Sequence, residues 1–146
     1  MNISNIILNQ ECWGAMKVKE LLIVDDNRGI RMLLEEVFSK DGYLVHLATN
    51  GAEAISIAEN KDIHCVLLDM NLPDMNGIEI LKTIVQFKKN IPFIMMSAYA
   101  EQDLIEKAKI NGAIHFITKP FNIHELKELV SKFIKSHSEL RVNEII

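Results

Sequence analysis

The chain has 146 residues, a length that suits one domain, and 49% of them are apolar, enough for a full core. A formal net charge of -4, with no Lys/Arg-rich block, argues against a nucleic-acid binder, and 25% charged residues is ordinary for a soluble protein. No apolar run approaches the roughly 20 residues that span a bilayer, the first basic residue is Lys17, and Cys12 and Cys65 lie far apart without metal spacing, so the expectation is a reduced cytoplasmic protein with no signal peptide and no membrane span.

Residues 1–16, with Cys12 and Trp13, precede any pattern and are read as an extension outside the fold, Met16 being a candidate natural start. The first apolar run, 20–25, is Leu21-Leu22-Ile23-Val24 closed by Asp25-Asp26. Residues 28–40 then place Ile30, Leu33, Leu34, Val37 and Phe38 on one helical face, stopped by Asp41-Gly42. A run at 43–47 follows, and Asn50-Gly51 opens an Ala- and Glu-rich helix over 51–60. The run 63–69 ends on Asp69, and 77–87 is a helix carrying Ile78, Leu81, Ile84 and Val85. The run 91–97 ends on Ser97, and a helix over 101–110 is stopped by Asn111-Gly112. The run 113–117 precedes Lys119-Pro120, and 122–136 is a last helix with Ile123, Leu126, Val130, Phe133 and Ile134, followed by a polar, frayed tail at 137–146.

Five strands alternating with five helices read as an α/β protein: a doubly wound (βα)5 fold with a five-stranded parallel sheet and right-handed crossovers. Such sheets bind ligands beyond the carboxyl ends of their strands. Asp25-Asp26, Asp69, Ser97 and Lys119 all fall there. Adjacent carboxylates facing one pocket repel, and a hard divalent cation offsets that; oxygen-only ligands favour Mg²⁺, with Mn²⁺ as a substitute. A carboxylate such as Asp69 can attack phosphorus to give an acyl phosphate, Lys119 supplies positive charge on the far side, and Ser97 can donate to a phosphoryl oxygen. The plainer readings are helix caps for Asp25 or Asp26, a strand-end cap for Ser97 and a solvated surface lysine for Lys119.

The segments LLIVDD, VLLDMNLPDMNG, IMMSAYA and FITKPF, in that order, resemble the receiver domains of two-component response regulators, which are CheY-like and flavodoxin-like in fold. The intervals also fit: 43 residues from Asp26 to Asp69, 28 to Ser97 and 22 more to Lys119. The resemblance covers roughly residues 20–136 and assigns the receiver to 17–136. It implies that Asp69 is the phosphoacceptor, that Asp25, Asp26, Asp69 and the Asn71 carbonyl hold Mg²⁺, and that Lys119 contacts the phosphoryl group beside a cis Lys119–Pro120 bond. Ser97 becomes the hydroxyl switch residue and Phe116 the switch aromatic, where plain core is the rival role for Phe116.

Within the family, LLIVDDNRGIRMLLEEVFSKDGY, NGAEAI and SAYAEQDLI are similar to the single-domain sporulation phosphorelay intermediates of spore-forming Gram-positive bacteria. That resemblance implies a sensor histidine kinase as donor and a histidine phosphotransferase as recipient, docking on Asn27, Gly29, Ile30, Leu33, Pro120 and Phe121, although Ile30 and Leu33 also read as core. It departs at Phe116, where those proteins carry His, and at Asn71, where they carry Lys. The expectation is self-catalysed phosphotransfer to Asp69 without conventional turnover, by a monomer able to dimerise on phosphorylation. The rivals are a chemotaxis-type regulator acting through protein binding, an aspartyl-nucleophile phosphatase, whose D-x-D motif Asp69-Met70-Asn71 lacks, and a flavin binder, whose phosphate loop Asp25-Asp26-Asn27-Arg28 would oppose.

Overall fold

The computed structural model describes residues 17–145; the extension at 1–16 lies outside the described residues. In chain order the elements are β1 (Glu20–Val24), α1 (Arg28–Lys40), β2 (Leu44–Ala48), α2 (Gly51–Asn60), β3 (Cys65–Asp69), α3 (Gly77–Phe87), β4 (Phe93–Ser97), α4 (Gln102–Ile110), β5 (His115–Thr118) and α5 (Ile123–Ile145). The strands form one parallel sheet in the order β2-β1-β3-β4-β5. The chain steps outward from β1 to β2 and then back to β3, so the winding reverses between β1 and β3. This is the flavodoxin-like (βα)5 arrangement that alternation of the two periods predicts.

The helices begin and end where short polar residues and glycines allow. Asn27 caps α1 through the Ile30 amide, Asn50 caps α2 through Glu53, and Asn76 caps α3 through Ile78. Gly42, with φ 92°, and Gly112, with φ 114°, follow the C-caps Asp41 and Asn111 of α1 and α4, in a left-handed conformation that a side chain would strain. α5 runs on to Ile145 instead of stopping near 136, because no Gly or Pro interrupts the segment.

Both faces of the sheet are covered, which is why β3 and β4 read as unbroken apolar runs. On one face Leu21, Ile23, Cys65 and Leu67 pack with Leu34 and Phe38 of α1 and with Leu126 and Val130 of α5. On the other, Leu22, Val24, Val66 and Leu68 pack with Ala54 and Ala58 of α2, Ile80 and Leu81 of α3 and Ala108 of α4. Each fully buried Leu or Ile contributes about 2 kcal/mol. The two layers clamp the middle strands and fix what projects from their carboxyl ends.

Candidate functional site

Asp25 follows the last residue of β1 and Asp69 ends β3, so both acids stand at the reversal point of the winding. Register places Val24 beside Leu68, one residue short of each acid. Asp25 is fully buried and Asp69 is 5% exposed, whereas Asp26 faces solvent. One carboxylate oxygen from each of Asp25, Asp26 and Asp69 lies within 4.8 Å of the others. Such a set of hard oxygen donors fits Mg²⁺ and lacks the nitrogen or sulfur that zinc or copper favours.

Lys119 reaches the acids from the end of β5. Its Nζ donates to Asp25 Oδ2 at 2.7 Å and to Asp69 Oδ2 at 3.1 Å. Its backbone N–H donates to the Ser97 carbonyl at 2.8 Å, which ties the ends of β4 and β5 together. The Lys119–Pro120 bond is cis, as the resemblance implies. Burial works to lower the lysine's pKa, but hydrogen bonds and charge from Asp25 and Asp69 outweigh it and raise the value. Burial also pushes the Asp69 carboxyl up, against an opposing bond from the Asn71 amide. An ion pair would ordinarily lower the acid as it raises the base. Here the shorter bond goes to Asp25, so Lys119 compensates that neighbour more, and Asp69 feels both desolvation and the adjacent anion.

The remaining carboxylate oxygens are held by the backbone. Asp25 Oδ1 accepts the Asn27 N–H at 2.9 Å and Asp69 Oδ1 accepts the Asn71 N–H at 3.1 Å. Ser97 is fully buried, and its Oγ accepts the Tyr99 N–H at 3.1 Å, leaving the hydroxyl proton for another acceptor. Phe116 is half-buried and packs against the α2–α4 core layer.

Of the expected docking residues, Asn27, Gly29 and Leu33 on or beside the start of α1 are exposed, as is Pro120. Ile30 and Phe121 are half-buried against the α1–α5 layer and so also serve as core. Asp25, Asp26, Asp69 and Lys119 are thus brought together, while the α1 residues form a flank.

Three further residues shape the site and escaped the sequence reading. Arg31 Nη1 donates to the Asp25 carbonyl at 2.8 Å. Gly77 gives its N–H to the Met70 carbonyl at 2.9 Å, and a Cβ there would lie 2.8 Å from the Asp69 carbonyl oxygen and the Met70 Cα. Asn76-Gly77 at a helix start was the available signal for it. Asp74 accepts amides from the start of α2, a partnership with no local signature.

The family described as response regulator receiver domain matches residues 21–131. Sporulation initiation phosphotransferase F of Bacillus subtilis (strain 168) is 45% identical over 119 residues, covering 82% of this chain and 96% of that protein. The chemotaxis protein CheY of Thermotoga maritima is 37% identical over 118 residues, 80% of this chain and 98% of that one. The crystal structure of a CheY-like receiver domain protein from Methanospirillum hungatei aligns with a TM-score of 0.82 at 28% identity, covering 84% of this chain and 98% of the other.

Proposed function

The chain belongs to the response regulator receiver domain family, and from that premise we propose that Asp69 takes a phosphoryl group from the phosphohistidine of a sensor histidine kinase and passes it to a histidine phosphotransferase in a sporulation relay. An Asp69 carboxylate oxygen attacks phosphorus, the P–N bond breaks, and the released imidazole takes the electron pair and gains a proton. Onward transfer is the same exchange, with a neutral histidine of the recipient attacking the acyl phosphate.

Asp25, Asp26, Asp69 and the Asn71 carbonyl would hold Mg²⁺, or Mn²⁺ in its place, and the ion supplies positive charge against the anionic phosphoryl oxygens. Lys119 neutralises charge from the other side, and the free proton of Ser97 goes to a phosphoryl oxygen. Phe116 acts with Ser97 as the switch. Asn27, Gly29, Ile30, Leu33, Pro120 and Phe121 form the partner face. The protein works in the cytoplasm as a monomer that can dimerise when phosphorylated, without conventional turnover. No helix among the described residues is long and apolar enough to cross a membrane.

The observation that most supports this reading is the ammonium of Lys119, 2.7 Å from one buried acid and 3.1 Å from the other, beside a third carboxylate. The relay and its sporulation setting draw on the 45% identity to sporulation initiation phosphotransferase F across nearly all of that protein. The test is to incubate the full chain with Mg²⁺ and a radiolabelled histidine kinase, then add a histidine phosphotransferase. Label should appear on Asp69 and then leave for the recipient. Label that stays on the chain and promotes binding to a flagellar switch protein would favour the chemotaxis reading, to which the Thermotoga maritima similarity lends weight.

A further inference from the structure

We propose that Asp74 is a positioning residue for the metal site: by bonding across to the start of α2 it holds the β3–α3 loop, and with it Asn71, beside the acidic cluster. This rests on the reading of Asn71 as a metal ligand. The loop leaves β3 at Asp69 and enters α3 at Gly77. Its neck is closed on itself. Asn71 forms an isolated antiparallel bridge with Asn76, Gly77 donates to Met70, and Asp69 Oδ1 takes the Asn71 amide.

The tip reaches a different helix. Asp74 Oδ1 accepts the Gly51 N–H at 2.8 Å and Oδ2 accepts the Ala52 N–H at 3.1 Å. Met75 closes the same contact from the apolar side, since a Cβ on Gly51 would lie 2.7 Å from its Sδ. α2 already has its own cap, because Asn50 accepts the Glu53 N–H at 2.9 Å. Asp74 therefore takes two amides which that cap leaves over, and its negative charge faces the positive end of the helix. The Gly51 amide, foremost among these contacts, holds its carboxyl below the usual range. Only Leu72 and Pro73 separate Asn71 from the anchored residue, and proline fixes φ in that short span. A tip released from α2 would pull on Asn71 through that short span, with only the neck bonds left to hold it.

The experiment titrates Mg²⁺ by calorimetry into the full chain and into its Asp74→Ala, Asp74→Asn and Asn50→Ala variants. It also follows amide exchange at Gly51 and Ala52 and labelling of Asp69 by acetyl phosphate. Asp74→Ala should weaken Mg²⁺ binding about 10-fold or more, the range for losing a residue that orients a ligand, with labelling restored at saturating Mg²⁺. Asp74→Asn, which keeps one carbonyl oxygen, should fall between. Asn50→Ala loosens the same helix start without touching the loop and should bind Mg²⁺ like the unsubstituted chain. The proposal fails if Asp74→Ala frees the Gly51 and Ala52 amides yet keeps its Mg²⁺ affinity, or if Asn50→Ala weakens binding equally. An unsubstituted chain that neither binds Mg²⁺ nor takes label would instead overturn the functional reading beneath it.

Discussion

Lys119 stands closer to Asp25 than to Asp69, 2.7 Å against 3.1 Å, although Asp69 is the proposed site of chemistry. The amine thus compensates the fully buried acid, and the half of its hydrogen bonding directed at Asp69 is the longer. Lys119→Ala should leave two neighbouring buried carboxylates without their cation and cost about 3 kcal/mol in chelator-treated protein. Mg²⁺ should then raise the melting temperature of the variant more than that of the parent chain. Thermal melts with and without Mg²⁺ check this; an equal gain in both would mean that the lysine and the ion do not share the same charge.

Asp69→Asn should abolish stable labelling by a phosphohistidine donor, and label that persists would place the nucleophile elsewhere. It should also change the pH dependence of stability. Burial raises the Asp69 carboxyl above its ordinary value. A group raised in this way favours folding below its unfolded pKa and loses that contribution as pH rises through the folded value. At neutral pH without metal the Asp69 carboxyl therefore contributes less to stability than it does in acid. Asp69→Asn should melt higher than the parent there, with the margin shrinking on acidification; a lower melting temperature at neutral pH contradicts the assignment.

Gly77→Ala should destabilise the fold by about 2 kcal/mol, because the new methyl meets backbone and not a side chain that can yield. The atoms it would push are the Asp69 carbonyl and the Met70 Cα, both 2.8 Å from the new carbon, so labelling of Asp69 should slow as well. Denaturant unfolding and a labelling time course measure the two effects.

Cys65 should resist alkylation in the folded protein. It is fully buried in β3, and burial pushes its thiol up to about 12, so almost no thiolate exists at neutral pH. In a Cys12→Ser background, iodoacetamide should react only when denaturant unfolds the chain. Rapid reaction under native conditions would contradict the packing described for β3.

The alternation of periods carried most of the architecture into view. Strands buried on two faces are continuous in Val, Ile, Leu and Met, and helices with one buried stripe show it at their own spacing. Strand edges were less legible: Ile63 and His64 are as buried as the strand they precede, yet pairing by the β3 ladder starts at Cys65. α5 runs past its apolar stripe, since a stripe marks what a helix buries and not where it stops. The site was readable where each acid or amine ends its own run. Asp74 and Arg31 were not, because their partners are a helix amide 23 residues away and a carbonyl, groups that every residue carries and no side-chain pattern announces.

The bond from Arg31 to the Asp25 carbonyl has a consequence for recognition. Arg31 lies between Ile30 and Leu33 on the helix we propose as the partner face, and its guanidinium reaches the main chain of an acid in the carboxylate cluster. Whatever leans on that helix would lean also on the backbone behind the acidic cluster. On the proposed reading the handshake and the grip share adjoining turns, so a change meant to alter the company the molecule keeps should also alter how firmly it would hold a cation.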